Sequence, residues 1–73
     1  MKNKVHIGDE IKKELHKQER SIAWLARKIQ IDPDNFRKQL NSGKIAPDKL
    51  SRISEILGKD YLSLYFKQLA NEE

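Results

Sequence analysis

The dipeptide Asp32-Pro33 constrains the fold of this chain more than any other local feature. An Asp side chain can accept hydrogen bonds from the unpaired amides of a helical first turn, and Pro at the first helical position loses no hydrogen bond. The dipeptide therefore predicts the start of a helix, which Ser42-Gly43 would end as a C-cap. Within that helix Phe36 and Leu40, four residues apart, are expected to face inward.

Apolar residues in the rest of the chain recur at spacings of three and four, which predicts helices rather than strands. The stripe Ile7, Ile11 and Leu15 indicates a first helix over about residues 8–17. A second helix is expected between a cap at Ser21 and an end near Gln30. Its inward positions would be Ile22, Leu25, Ala26 and Ile29.

Two further helices complete the predicted domain. Pro47 would open a fourth helix and Gly58 would end it, and Asp60 would cap a fifth. The inward positions of the fourth helix are Leu50, Ile53, Ile56 and Leu57. The expected fold is an all-α, compact five-helix domain over residues 7–69, with frayed ends at 1–6 and 70–73.

Length and composition exclude several classes of protein. A chain of 73 residues has the length of one domain, and about 60% of the unfolded surface can be buried at this size. Without cysteine there is no disulfide framework and no thiolate metal site, which fits a reducing compartment. No apolar run approaches the roughly 18 residues of a membrane span. The first residues lack the apolar segment of a secretory signal, so we expect a cytoplasmic protein.

Catalytic and metal-binding patterns are missing from the sequence. It contains no Ser-His-Asp or Cys-His arrangement and no glycine-rich phosphate loop, and each of its three glycines fits a turn or a helix end. His6 and His16 have no cysteine or acidic cluster arranged beside them, which indicates surface histidines rather than metal ligands. We therefore expect a protein that is not an enzyme and needs no cofactor or metal.

Basic residues are concentrated between Arg20 and Arg52. Eight Lys and Arg residues lie in that segment with only three Asp residues, a net charge of +5, and the whole chain carries +4. Such a cluster suits a polyanion, because phosphate neutralisation and counterion release supply most of the affinity of nucleic-acid binders. The alternative is the solvated surface of a lysine-rich domain.

The fifth helix holds more bulky apolar residues than one face can bury. At 100° per residue, five of its side chains span an arc of about 140°. Either this helix is wedged deeply into the core or part of it forms an oligomer surface. We expect a homodimer interface formed by Tyr61, Leu62, Tyr65, Phe66 and Leu69.

Trp24 lies opposite the inward face of the second helix and should be at least partly exposed. Its indole could donate to a phosphate, contact a partner protein or fold over a neighbouring helix.

The pattern as a whole resembles the lambda repressor and Cro class of helix-turn-helix regulators, the XRE family. The resemblance covers about residues 7–66, with the helix-turn-helix unit at about 21–42. The residues that carry it are Leu25-Ala26, Ile29, Ile31, Asp32, Phe36, Gly43 and Pro47. It implies a repressor-like, sequence-specific regulator that binds double-stranded DNA as a homodimer, with a recognition helix at about 33–42 in the major groove. It implies neither a membrane partner nor a small-molecule ligand.

Carried over by position, the base-reading sites of the family fall on Pro33, Asp34 and Lys38, with Asn35 beside them. Lys can donate to guanine, and Asn offers the donor and acceptor that suit adenine. Asp34 could accept from cytosine or simply compensate the helix dipole. The expected phosphate contacts are Ser21, Arg27, Lys28, Arg37, Asn41 and Lys44.

The sequence departs from the family pattern at two places. Ile22 replaces a Gln that touches the DNA backbone, so one expected contact is missing. Leu15 and Leu40 occupy the positions of a buried Arg–Glu pair, and we predict that they are in contact. Ile22, Pro33 and Asp34 also favour a second hypothesis, in which the domain is a protein-interaction module that uses Trp24 and the fifth helix without specific DNA binding.

Overall fold

A computed structural model describes residues 6–71 of the chain. Five α-helices and no strand occur in this part of the protein, as the sequence predicts. They are α1 (Ile7–Lys17), α2 (Ile22–Lys28), α3 (Pro33–Ser42), α4 (Pro47–Leu57) and α5 (Tyr61–Asn71). Helix α1 packs against α3 and α5, α2 packs against α3, and α4 packs against α5. None of these helices is long and apolar enough to cross a membrane.

The predicted caps form at the starts of three helices. Each cap side chain accepts a hydrogen bond from a first-turn amide, which would otherwise lack a helical partner. The amide donors are Trp24 for Ser21 at 3.0 Å, Asp34 and Asn35 for Asp32 at 3.1 and 3.2 Å, and Ser63 for Asp60 at 3.2 Å. The first helix has a cap that the sequence did not indicate: His6 Nδ1 accepts from the amide of Asp9 at 3.3 Å.

The ends of α3 and α4 also follow the prediction. Gly43 and Gly58 have φ angles of 77° and 75°, in the left-handed region where glycine avoids a steric penalty. Helix α2 is shorter than expected. It ends at Lys28 rather than near Gln30, because Gln30 itself takes a left-handed φ of 58° and turns the chain toward α3.

The core lies between the predicted apolar faces. Its buried residues are Ile7, Ile11, Leu15, Leu25, Ala26, Ile29, Phe36, Leu40, Ile45, Leu50, Ile53, Leu57 and Tyr61. Ile22 and Ile56, which were expected to face inward, are only half-buried at its edge. The sequence therefore predicts most of the core correctly, because helical periodicity determines which side chains share a face.

Gly8 sets the close approach of α1 to α3. A Cβ atom at Gly8 would lie 1.7 Å from the carbonyl oxygen of Leu40, so only glycine fits there. Leu15 is two turns further along α1, about 10 Å along the helix axis. Leu15 and Leu40 are both buried in the same core, and their direct contact stays a prediction.

A buried glutamine joins three helices. Gln68 of α5 is 5% exposed. Its Oε1 accepts from the amide of Ile7 at 2.6 Å, and its Nε2 donates to the carbonyl of Gly43 at 2.8 Å. Gln68 thereby connects α5 to the start of α1 and the end of α3.

The helical domain extends beyond the predicted limits of residues 7 and 69. His6 caps α1, and α5 includes residues 70 and 71. The other terminal residues for which fraying was predicted, 1–5 and 72–73, lie outside the described residues.

Candidate nucleic-acid interface

Helix α3 separates an apolar inner face from a polar outer face. Phe36 and Leu40 are completely buried. The side chains of Asp34, Asn35 and Lys38 are exposed on the other side, and Asn41 is exposed one turn further along. The predicted base-reading residues are therefore brought together on one surface of a helix whose opposite face anchors it to the core.

The first turn of α3 carries its own negative charge. Asp32 already accepts hydrogen bonds from two of its amides, and Pro33 has no amide hydrogen to donate. The start of α3 therefore has few free amide donors for a further anion. Any anion bound at this helix start would have to be held by side chains.

Asp34 and Arg37 form an ion pair on the outer face. Arg37 Nη1 lies 3.4 Å from Asp34 Oδ1. The side chain of Arg37 is 50% exposed and that of Asp34 is 85% exposed. An exposed pair of this kind contributes about 0–1 kcal/mol to stability. Both residues can therefore exchange this contact for one with a partner, and the Arg37 charge offsets the carboxylate that is least compatible with phosphates.

The predicted phosphate residues at the end of α3 are exposed. Asn41 accepts a hydrogen bond from Lys12 of α1, with 2.6 Å between Lys12 Nζ and Asn41 Oδ1. Lys44 follows the helix, and its amide donates to Ser42 Oγ at 3.2 Å. The sequence did not indicate Lys12, because the partners are far apart along the chain.

Trp24 is half-buried at the edge of the core, and two cations lie over its ring. The guanidinium carbon of Arg20 is 4.5 Å from the ring centroid, and Lys28 Nζ is 5.7 Å from it. Cations are attracted to the negative face of an aromatic ring. Trp24 therefore orients Arg20 and Lys28 on the outer side of α2, which agrees with its predicted partial exposure.

The other two predicted phosphate residues of this region are Ser21 and Arg27, and both are exposed. The Ser21 oxygen already accepts from the amide of Trp24, although its hydroxyl can still donate. The end of α2 is held by Arg52 of α4, which donates to the carbonyl of Lys28 at 3.4 Å. Arg52 thus satisfies a helix-terminal carbonyl group.

The surface of α5 is smaller than the predicted dimer interface. Tyr61 is fully buried inside the chain, so it must be removed from that interface. Leu62 and Tyr65 are half-buried, whereas Phe66 and Leu69 are 59% and 41% exposed. The wide apolar arc is thus divided: its first residue fills the core, and two later residues remain on the surface.

Burial also changes the chemistry of Tyr61. Its hydroxyl group has no hydrogen-bond partner among the described residues. Burial raises the pKa of Tyr61, and the negative charges of Glu14 and Glu10 raise it further, because each effect disfavours the phenolate.

No three His, Asp or Glu side chains within residues 6–71 converge in a way that could hold a metal ion. Comparisons of the chain with protein-family models, curated proteins and solved structures found no match.

Proposed function

We propose that this protein is a cytoplasmic, sequence-specific regulator with a lambda repressor-like helix-turn-helix domain that binds double-stranded DNA as a homodimer. The observation that carries the proposal is the outer face of α3, where exposed polar residues lie opposite the buried Phe36 and Leu40. A helix held in this way can enter a major groove without unfolding any part of the core.

Lys38 and Asn35 are the proposed base readers. Lys38 can donate to O6 and N7 of guanine, and Asn35 can both donate to and accept from adenine. Asp34 either accepts from cytosine or stays paired with Arg37. Arg27, Lys28 and Lys44 would hold phosphates together with Arg37, so their contribution should be independent of sequence.

Dimerisation would follow from the exposed part of α5. A single small DNA-binding module buries only about 600–1,000 Å² of protein surface, which limits affinity and specificity. Two modules whose recognition helices lie about 34 Å apart can bind consecutive major grooves on one side of the duplex. Phe66 and Leu69 are the exposed apolar residues that a second copy would cover.

Fluorescence anisotropy with a mixed-sequence duplex over a series of salt concentrations tests the proposal. Binding should weaken steeply as salt rises, because phosphate contacts release counterions. Lys38→Ala should lower the affinity about tenfold for a preferred sequence obtained by selection from a random duplex pool. Lys59→Ala, in the exposed turn before α5, is the matched control and should bind like the unmodified protein. Absence of duplex binding at low salt would contradict the proposal.

A protein-interaction module is the second candidate. Three observations favour it: the 85% exposed carboxylate of Asp34, the side chain of Ile22, which cannot donate to a phosphate, and the exposed Phe66. In that case duplex binding would be missing at every salt concentration, and residues of α5 would determine the binding of a partner protein.

A further inference from the structure

A lysine of α1 extends to the C-terminal end of α3. The Nζ atom of Lys12 donates to Oδ1 of Asn41 at 2.6 Å, across 29 positions of sequence. Lys12 is half-buried, whereas Asn41 is exposed. Since α1 packs directly against α3, this hydrogen bond joins α1 to the outer face of the proposed recognition helix.

The hydrogen bond fixes the orientation of the Asn41 amide. An ammonium group has three donors and no acceptor, so the amide must turn its oxygen toward Lys12. The Asn41 Nδ2 group keeps its two N–H donors for another acceptor, because no hydrogen bond within residues 6–71 occupies it. The end of α3 therefore presents an oriented pair of N–H donors beside a cation.

The charge of Lys12 is not neutralised by a carboxylate within 4.0 Å. The ion pairs in the described part of the chain are His6–Asp9, Lys13–Glu10 and Arg37–Asp34. A cation next to amide donors suits a phosphate diester, because charge-assisted hydrogen bonds to an anion are stronger than neutral ones.

We propose that Lys12 and Asn41 together bind one backbone phosphate of a DNA duplex. Lys12 supplies positive charge and also positions the amide of Asn41, whose Nδ2 group donates the second hydrogen bond. This inference rests on the proposed function, because it requires α3 to lie on the duplex. It adds α1 to a binding surface that otherwise consists of α2, α3 and the residues after α3.

Two substitutions separate phosphate binding from a purely structural role. Asn41→Asp retains an oxygen partner for Lys12 and should preserve the fold, but it replaces the amide donors with a carboxylate that repels phosphate. Lys12→Met retains the aliphatic stem and removes the charge. Each variant should bind a mixed-sequence duplex about tenfold more weakly. Lys12→Met should also reduce the slope of log affinity against log salt by about 0.9.

Lys13→Met is the matched control, because Lys13 is the next residue of α1 and is exposed and paired with Glu10. It should bind the duplex like the unmodified protein. Circular dichroism and the thermal midpoint should show that all three variants fold. The single variant Asn41→Ala and the double variant Lys12→Met/Asn41→Ala complete a double-mutant cycle with Lys12→Met. The double variant should lose less affinity than the sum of the losses of these two single variants, because both residues act on one phosphate.

Unchanged duplex binding by Asn41→Asp and Lys12→Met, together with weakened binding by Lys38→Ala, would overturn the shared phosphate site and leave the proposed function intact. Additive losses in the double variant would overturn the positioning role of Lys12. If the unmodified protein does not bind the duplex at low salt, both the site and the proposed function are overturned.

Discussion

Tyr61 is the largest fully buried side chain in the described part of the protein. It begins α5, and its amide donates to Ser54 Oγ of α4 at 3.1 Å. The sequence places Tyr61 correctly in the apolar arc of α5 but wrongly in a dimer interface. Helical periodicity shows which residues of α5 share the apolar arc. It does not show which of them enter the core, because burial depends on how α5 packs against α1 and α4.

The buried hydroxyl of Tyr61 predicts an unusual response to alkaline pH. Because its pKa in the folded protein is raised, the unfolded chain ionises first, at about pH 10. The free energy of unfolding is therefore unaffected by this titration below about pH 10. It falls as pH rises toward the folded pKa, by about 1.4 kcal/mol per pH unit, because the folded protein resists ionisation of the phenol.

Tyr61→Phe should abolish this loss and should raise stability at neutral pH by about 1 kcal/mol, because the substitution removes a buried hydroxyl without a partner. Urea unfolding at a series of pH values measures both effects. Tyr65→Phe, on the same helix but only half-buried, is the control for loss of a tyrosine. Parallel pH profiles for Tyr61→Phe and the unmodified protein would contradict the prediction.

At the scale of secondary-structure elements, the turn between α2 and α3 determines how the outer face of α3 is presented. The amide of Ile31 donates to the carbonyl of Ala26 at 2.9 Å, and the amide of Gln30 donates to the carbonyl of Arg27 at 3.2 Å. This pair of bonds is a Schellman motif, in which the residue at the position of Gln30 is usually glycine. The sequence could not reveal the motif, because Gln is not a residue that favours left-handed backbone.

Gln30→Gly should stabilise the protein by about 1 kcal/mol, because the left-handed backbone at this position has a steric penalty for any residue with a Cβ atom. Thermal or urea unfolding provides the measurement. Ser51→Gly, at an exposed position inside α4, should instead destabilise the protein by about 0.5 kcal/mol. Equal destabilisation by Gln30→Gly and Ser51→Gly would show that the left-handed backbone at Gln30 is not strained.

At the scale of the whole molecule, α5 has two roles on opposite sides. Tyr61 and Gln68 attach it to the core, and Gln68 holds both the start of α1 and the end of α3. On the outside, Phe66 and Leu69 leave apolar surface in contact with water. Burying that surface against a second copy would give the homodimer that the proposed function requires.

Phe66→Glu should convert the protein from dimer to monomer, because two copies of a carboxylate would meet at the interface without water. Sedimentation velocity measures the oligomeric state, and circular dichroism should show unchanged helix content. Lys67→Ala, an exposed substitution at the next residue, should leave the dimer intact. If the unmodified protein sediments as a monomer at high concentration, the proposal that α5 forms a dimer interface is wrong.

The five helices, most of their limits and most of the core could be predicted from the amino-acid pattern alone. These features depend on interactions within a few residues: Asp32 caps its own helix, Gly43 ends it, and Phe36 and Leu40 share a face because they are one turn apart. The sequence also identified the exposed face of α3, which is the complement of its buried face.

The pairing of side chains that are distant in sequence could not be predicted in this way. Lys12 reaches Asn41, Gln68 joins α5 to α1 and α3, and Tyr61 enters the core rather than the surface. None of these contacts follows from local spacing, because each depends on the distance and angle at which two helices pack. Capping and periodicity act within one helix, whereas side-chain pairing between helices depends on the arrangement of all five.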